Sequence, residues 1–214
     1  MIRYGLIASG VMLATTLGLT LWVWNLVPDD ASVAIHWNMA GEADGFASKS
    51  VALLVLPVAM ALASALTAAL PRIDPRRGKL QRSRRAYMVG WLGTLSVLLA
   101  AHAFIVLSAA GAEPPISVVL VAVAVLVIAL GNAMAKSRSN WFVGIRTPWS
   151  LSSEDAWIAS HRVGGWGFVV SGVLGLLGLL HSGQTGITLL LAGIFTSIAL
   201  AVVVSYRVWR RDTA

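Results

Sequence analysis

The placement of charged residues limits the possible folds of this sequence more than any other feature. Asp, Glu, Lys and Arg leave five uncharged stretches that are long enough to cross a membrane, with 25, 22, 27, 22 and 44 residues in chain order. A hydrocarbon core about 30 Å thick needs about 20 helical residues, so each of the first four stretches can hold one membrane-spanning helix. The fifth stretch is long enough for two helices, and a polar segment at residues 181–186 divides it.

The charge pattern therefore predicts an all-α integral membrane protein with six transmembrane helices. Only 12% of the residues are charged, which excludes a water-soluble fold of this size. The chain has no cysteine, which excludes disulfides, thiolate metal sites and cysteine catalysis. The predicted spans are about 5–27, 51–70, 87–110, 116–135, 165–181 and 186–206.

The basic residues predict how the chain is oriented. When the connections are assigned alternately to two sides, 15 of the 16 Lys and Arg residues fall on one side and Lys49 on the other. Basic residues beside spans are retained in the cytoplasm, so both termini are predicted to be cytoplasmic. The net charge of +7 then describes an inner membrane face, not a surface that binds nucleic acid directly. The basic run at 71–86 is expected to be a cytoplasmic loop that contacts lipid headgroups.

The connection between spans one and two, residues 28–50, carries more pattern than a loop requires. His36, Glu42 and Asp44 are of metal-ligand types, but their spacing matches no specific metal site, and none is predicted. We expect a structured outer loop. Its candidate binding residues are His36, Trp37, Asn38, Gly41, Asp44, Gly45 and Lys49.

Each of these loop residues also has a structural interpretation. Trp37 is expected at the membrane interface. Asn38 and Asp44 are expected to cap nearby backbone groups. Gly41 and Gly45 are expected to adopt positive φ, which a side chain would disfavour.

A second patterned segment, residues 131–165, begins where span four ends on the inner side. Ser152 and Asp155 resemble a capping box, and Gly164-Gly165 resembles a helix stop, so a short interfacial helix is predicted at about 153–163, before span five. Pro148 should hold Thr147 in an extended conformation. The candidate binding residues of this segment are Asn132, Asn140, Gly144, Arg146, Thr147, Pro148, Trp149, Trp157, His161 and Arg162.

Two interpretations of the 131–165 segment remain open on the residues alone. Arg146, His161 and Arg162, with the free N–H groups of the helix, could receive an anionic headgroup or a peptide carboxylate. Alternatively, Trp and Arg side chains simply anchor an interfacial helix.

His102 is the intramembrane polar candidate, because it lies within span three. A single histidine in an apolar helix is more often neutral and hydrogen-bonded to a neighbouring helix than a proton carrier or ligand site. The spans contain no Asp, Glu, Lys or Arg, which argues against an ion-coupled pump.

The 131–165 segment closely resembles the signature of the SdpI family of bacterial multi-pass membrane proteins. The similar residues are Gly131-Asn132, Asn140-x-Phe-Val-Gly-Ile-Arg-Thr-Pro-Trp-Ser-Leu-Ser-Ser, Trp157, His161-Arg162 and Gly164-Gly165. The 28–50 segment resembles a small domain of unknown function that often precedes this signature. The resemblance divides the chain into residues 1–70 with the outer loop, the basic loop 71–86, and an SdpI-like region at 87–214.

The resemblance implies a protein of the bacterial cell (inner) membrane that acts in toxin immunity or signal reception. The implied partners are the lipid bilayer, a secreted peptide toxin outside, and a repressor or other protein inside. The alternative is a transporter of small molecules or lipids that uses a cavity among the six spans. No hydrolase motif is present, so neither an enzyme nor a cofactor is predicted.

Overall fold

The computed structural model describes residues 1–38, 40–73 and 83–213, and it is mostly helical. The elements are α1 (Ile2–Trp24), β1 (Ser32–Trp37), β2 (Ala43–Ser48), α2 (Lys49–Ile73), α3 (Arg84–Ala109), α4 (Ser117–Met134), α5 (Pro148–Ser152), α6 (Glu154–Leu179) and α7 (Gly183–Asp212). Within the described residues, six helices, all except α5, are long and apolar enough to cross a membrane. The predicted helical, multi-pass class is therefore confirmed, with the addition of one β-hairpin.

Helices α2 and α3 extend into the segment predicted as the basic loop. Residues 71–73 end α2 and residues 84–86 begin α3, so both helices carry arginines at these ends. In the rest of the predicted loop, residues 74–82 lie outside the described residues, and they include Arg76, Arg77, Lys79 and Arg82.

The predicted helix stop at Gly164-Gly165 is wrong, because α6 continues through both glycines without a break. Glycine weakens a helix interior by about 1 kcal/mol but does not end it when packing compensates. Packing compensates at these two glycines, because both lie against other parts of the chain. A Cβ on Gly164 would overlap Ile145, and a Cβ on Gly165 would lie 2.6 Å from the Gly131 carbonyl oxygen. The separate interfacial helix predicted at 153–163 is therefore the first part of α6.

The start of α6 also differs from the prediction by one residue. Ser153, not Ser152, caps the helix and accepts a hydrogen bond from the Ala156 N–H at 3.1 Å. The capping box expected from Ser152 and Asp155 lies instead at α5. It arises there because Thr147, held extended before Pro148 as predicted, is free to cap.

The described residues form two compact units, which we treat separately. Unit one contains Met1–Ala68 and Leu92–Val123, and unit two contains Ala69–Trp91 and Ala124–Ala214. The core of unit one is a cluster of aliphatic side chains: Val23, Val27, Val33, Ala52, Leu53, Ile105 and Val106.

In unit two, α6 and α7 form an antiparallel helical pair whose contact consists of small residues. A Cβ on Gly178 would lie 2.8 Å from Gly186 Cα, and a Cβ on Gly193 would lie 2.8 Å from Ser171 Cβ. Such close approach gives two apolar helices extensive van der Waals contact, which stabilises their association in lipid.

Candidate functional sites

The 28–50 segment folds as an antiparallel hairpin, β1 and β2, between α1 and α2. Ala34 pairs with Phe46 and His36 pairs with Gly45, and the register is irregular on both sides of His36. Such bulges bend a strand and redirect its side chains. They place His36 and Asp44 in direct contact across the hairpin.

Two side chains of β1, one near each end of the strand, attach the hairpin to the helices of unit one. Val33 is buried in the aliphatic core. Trp37 packs edge-on against Phe104 of α3, with ring centroids 4.6 Å apart. The hairpin is therefore attached firmly to the helices. Trp37, which the sequence places at the membrane interface, also makes a contact within the protein.

Lys49 forms a second fastening where the hairpin joins α2. Only 5% of its surface is exposed, and its Nζ lies 2.7 Å from Asp29 Oδ1 and 4.9 Å from the Trp24 ring centroid. The hydrogen bond and positive charge of Lys49 lower the pKa of Asp29 below its usual value. The stabilising effect of a lowered carboxyl pKa is complete above the usual value and is lost as the pH falls through the lowered one. Asp29 therefore remains ionised at neutral pH, and its contact with Lys49 makes Lys49 a structural residue.

Asn38 organises the turn of the hairpin, as expected from its capping role. Its Oδ1 accepts hydrogen bonds from the N–H groups of Ala40 and Glu42, at 2.9 and 3.0 Å. Gly41 has a φ of 84°, which agrees with the prediction. These two residues shape the turn.

The exposed part of the hairpin combines one close His–Asp contact with apolar side chains. His36 Nδ1 lies 2.5 Å from Asp44 Oδ1, and both side chains reach solvent. Ile35 and Phe46 are 39% and 57% exposed. These four exposed residues, Ile35, His36, Asp44 and Phe46, which we call the platform, offer polar and apolar side chains to a partner.

Two predictions about the hairpin are wrong. Asp44 does not cap the backbone, because its carboxylate contacts His36. Gly45 does not adopt positive φ. It lacks a side chain for a different reason, since a Cβ there would lie 2.8 Å from the Cβ of His36 on the paired strand.

In unit two, Asn140 holds together the connection between α4 and α5. It is fully buried, and its Oδ1 accepts hydrogen bonds from the N–H groups of Phe142 and Val143 at 3.0 and 2.7 Å. Its Nδ2 donates to the carbonyls of Arg138 and Val143 at 2.9 and 3.1 Å. These four bonds use both donors and both acceptor positions of the amide, so Asn140 serves the loop and has no capacity for a ligand.

His161 and Trp157 are buried and form a cluster with the partly buried Ile145. The Ile145 N–H donates to His161 Nε2 at 3.0 Å, so the proton of the neutral ring must lie on Nδ1, which donates to the Trp157 carbonyl at 2.9 Å. The ring also stacks on Trp157 with centroids 3.8 Å apart. Both ring nitrogens are therefore bonded to backbone groups, and His161 cannot contribute to the predicted anion site without breaking one of these bonds.

The neighbouring positions of the segment fit around this ring. Gly144 has a φ of 123°, and a Cβ there would overlap His161 Nε2. The Trp157 indole N–H donates to the Ser137 carbonyl at 3.1 Å. Together these contacts fix the loop before α5 against the first turns of α6.

Helix α5 is joined to α7 by Thr147 and Trp149. The Thr147 hydroxyl accepts a hydrogen bond from the Ser150 N–H and lies 3.1 Å from Ser205 Oγ of α7. Pro148 occupies the first position of α5, where its missing N–H has no cost. Trp149 packs edge-on against Tyr206 at 5.1 Å.

Three of the predicted residues face the exterior of unit two. Arg146 is exposed and its Nη1 donates to the Trp141 carbonyl at 2.5 Å. Arg162 is exposed on α6, and Asn132 lines a cleft between α4 and α6. The two arginines therefore remain as candidates for an anionic ligand after His161 is withdrawn.

His102 is fully buried in unit one and bonded to α1. Thr20 Oγ1 lies 2.9 Å from His102 Nε2 and 3.1 Å from the Leu53 carbonyl. Because the hydroxyl proton is directed to Leu53, His102 Nε2 is the donor to Thr20. This is the neutral, interhelical histidine expected from the sequence, although its Nδ1 has no hydrogen-bond partner among the described residues.

Comparisons with known proteins agree with the placement of these two segments. Residues 136–206 match the model of the SdpI/YfhL protein family. We call this matched segment the SdpI region. Residues 11–61 match a domain of unknown function, DUF1648. The chain is also similar to the immunity protein SdpI of Bacillus subtilis (strain 168), with 22% identity over 190 residues that cover 88% of each chain. No solved structure matches the chain.

The SdpI region, residues 136–206, contains every candidate of the 131–165 segment except Asn132, and the DUF1648 match contains the whole hairpin. Sequence reasoning missed Ser137, Ser150 and Ser205. Ser150 had a usable signal, because Thr147-Pro148-Trp149-Ser150 has the spacing of a capping box with proline at the first helical position. Within residues 1–38, 40–73 and 83–213, no three His, Asp or Glu side chains cluster as a metal site would require.

Proposed function

We propose that the protein is an immunity protein of the bacterial inner membrane, which gives tolerance to a secreted peptide that reaches it from outside. Its similarity to an immunity protein over 88% of both chains supports this function rather than transport. We propose neither an enzymatic activity nor a cofactor. A cytoplasmic repressor or other protein remains the proposed inner partner.

The exposed platform of the hairpin is the observation that carries this proposal. Ile35, His36, Asp44 and Phe46 are accessible, while Trp37 and Lys49 fix the hairpin to the helix ends. A peptide that binds a rigid, preorganised surface loses less free energy to ordering than one that binds a mobile loop. The platform therefore has the properties of a receptor surface for an amphipathic peptide.

The orientation on which this role depends can be tested by cysteine labelling. Ser32→Cys and Ser182→Cys are expected to react with a membrane-impermeant thiol reagent added to intact cells, whereas Ser152→Cys should react only after the cells are broken open. All three serines are exposed in the structure, and the chain has no cysteine that would add background labelling. Labelling of Ser152→Cys in intact cells would contradict the orientation.

The proposed receptor surface can be tested by a growth assay. A sensitive bacterial strain that expresses the protein is exposed to the secreted peptide fraction of the bacterium that encodes it. Wild-type protein is expected to raise the dose that halves growth. His36→Ala, Asp44→Ala and Phe46→Ala should each lower this dose about tenfold, the factor for one lost contact to a charged group or one aromatic contact.

Ser48→Ala is the matched control, because Ser48 is exposed at the base of the same hairpin and outside the platform. All variants are compared at equal abundance in the membrane. No protection by the wild-type protein would refute the immunity function. Protection by the wild type and equally by all three platform variants would refute the receptor role of the hairpin alone.

A further inference from the structure

A cleft of about 480 Å³ lies between α4 and α6 in unit two, close to the ends of these helices that adjoin Lys136 and Arg162. Ile128 and Val169 form an apolar wall. Asn132, Lys136 and Trp166 lie beside it. The volume falls within the range of sites that hold small molecules.

The cleft exists because two glycines bring the helix backbones together. A Cβ on Gly165 would lie 2.6 Å from the Gly131 carbonyl oxygen and 3.4 Å from the Ala135 backbone nitrogen. Both glycines line the cleft and contribute no side chain to fill it. The close crossing of α4 and α6 thus leaves a depression beside the two glycines.

The residues around the cleft are arranged like the parts of an anionic phospholipid. The apolar wall suits an acyl chain, and Lys136 and Asn132 supply a positive charge and an amide donor for a phosphate group. Trp166 is 68% exposed beside them, as is typical of an aromatic ring at headgroup level. Basic pockets between spanning helices recognise anionic headgroups in this way.

The surroundings of the cleft favour the same ligand. Arg138 and Arg162 lie at the same ends of α4 and α6, and Arg207 lies on the final turns of α7, which runs antiparallel to α6. Glu154, which lies 3.6 Å from Arg138, and Asp155 and Asp212 lie at the same end, but the cations outnumber these carboxylates and leave a net positive field. Such a field favours an anionic lipid over a zwitterionic one, and Lys136, which lines the cleft itself, contributes most of this preference.

We propose that the cleft lined by Gly131, Asn132, Lys136, Gly165 and Trp166 binds one anionic phospholipid, such as phosphatidylglycerol, from the leaflet that adjoins these basic residues. This proposal goes beyond the immunity function, because it concerns unit two and does not depend on any peptide. The proposal implies that a bound lipid contacts the crossing of α4 and α6 and stabilises the SdpI region there.

Bromine-labelled lipids test this proposal, because they quench a tryptophan only at short range. Full-length protein is reconstituted in phosphatidylcholine vesicles that contain a fixed fraction of either brominated phosphatidylglycerol or brominated phosphatidylcholine. The contribution of Trp166 among the nine tryptophans is the difference between the wild type and Trp166→Phe. Brominated phosphatidylglycerol is expected to quench this contribution at a several-fold lower fraction than brominated phosphatidylcholine.

Charge variants separate a specific site from general attraction. Lys136→Gln should reduce the preference for phosphatidylglycerol about fivefold, the factor that corresponds to about 1 kcal/mol. Lys136→Arg should retain it. Arg207→Gln, which removes a charge from the same end but outside the cleft, should change it little. Equal quenching of Trp166 by both lipids, or an equal loss in Lys136→Gln and Arg207→Gln, would overturn the proposal.

Discussion

His161→Ala is expected to remove most of the folded protein from the membrane. The substitution leaves the partly buried Ile145 N–H without its acceptor and the face of the fully buried Trp157 without its stacked ring. Loss of a buried hydrogen bond and creation of a cavity together cost roughly 3–5 kcal/mol. That is a large part of the 5–15 kcal/mol by which a typical protein is stable, so the SdpI region should unfold at a much lower temperature.

The measurement is the thermal unfolding midpoint of detergent-solubilised protein, together with its abundance in the membrane. His181→Ala is the matched control, because His181 is exposed beyond the other end of α6. Normal abundance and stability of His161→Ala, with loss of toxin protection, would instead assign His161 to a ligand site and contradict its structural role.

The membrane-spanning helices could be predicted because they are determined by local composition. Each uncharged stretch must satisfy its backbone hydrogen bonds internally, and a helix does so without help from distant residues. The predictions were wrong only about where some of these helices begin and end. At Gly164-Gly165 the stop signal was overridden by packing against Gly131 and Ile145, which are remote in sequence.

The hairpin was harder to predict than the spans. Residues 32–37 and 43–48 are short and lack strict alternation of apolar and polar side chains. Two irregularities in the pairing register also interrupt the regular two-residue repeat of a strand. Its stability also depends on Phe104 and Asp29, which pair with Trp37 and Lys49 across large sequence distances. The sequence indicated a structured segment there without indicating strands.

The residues of the 131–165 segment were identified from the sequence, but the roles of several were not. The partners of Asn140, Trp157 and His161 are mostly backbone N–H and carbonyl groups. Every residue carries backbone groups of this kind, so the sequence does not indicate which of them a side chain will bind. A histidine that completes a loop therefore has the same sequence appearance as a histidine that binds a ligand.

The contact between α4 and α6 gives the second large expected effect, in the variant Gly165→Leu. A side chain at this position would collide with the Gly131 carbonyl oxygen, and a backbone atom cannot turn aside as a side chain can. The two helices must separate, and the contacts that Gly172 makes possible with Ile128 further along the same pair would also be lost. Forcing side chains into a packed contact costs about 3 kcal/mol when the neighbours cannot adjust.

Gly18→Leu provides the matched control for this effect. Gly18 lies inside α1, and no atom lies within 4 Å of a Cβ at that position, so the control makes the same change in a membrane helix without a collision. Gly165→Leu should therefore lower the unfolding midpoint and abundance strongly, while Gly18→Leu leaves both unchanged or slightly raised, because leucine favours a helix more than glycine does. Equal stability of the two variants would show that the crossing at Gly131 and Gly165 does not hold the helices together, and that other contacts join α4 to α6.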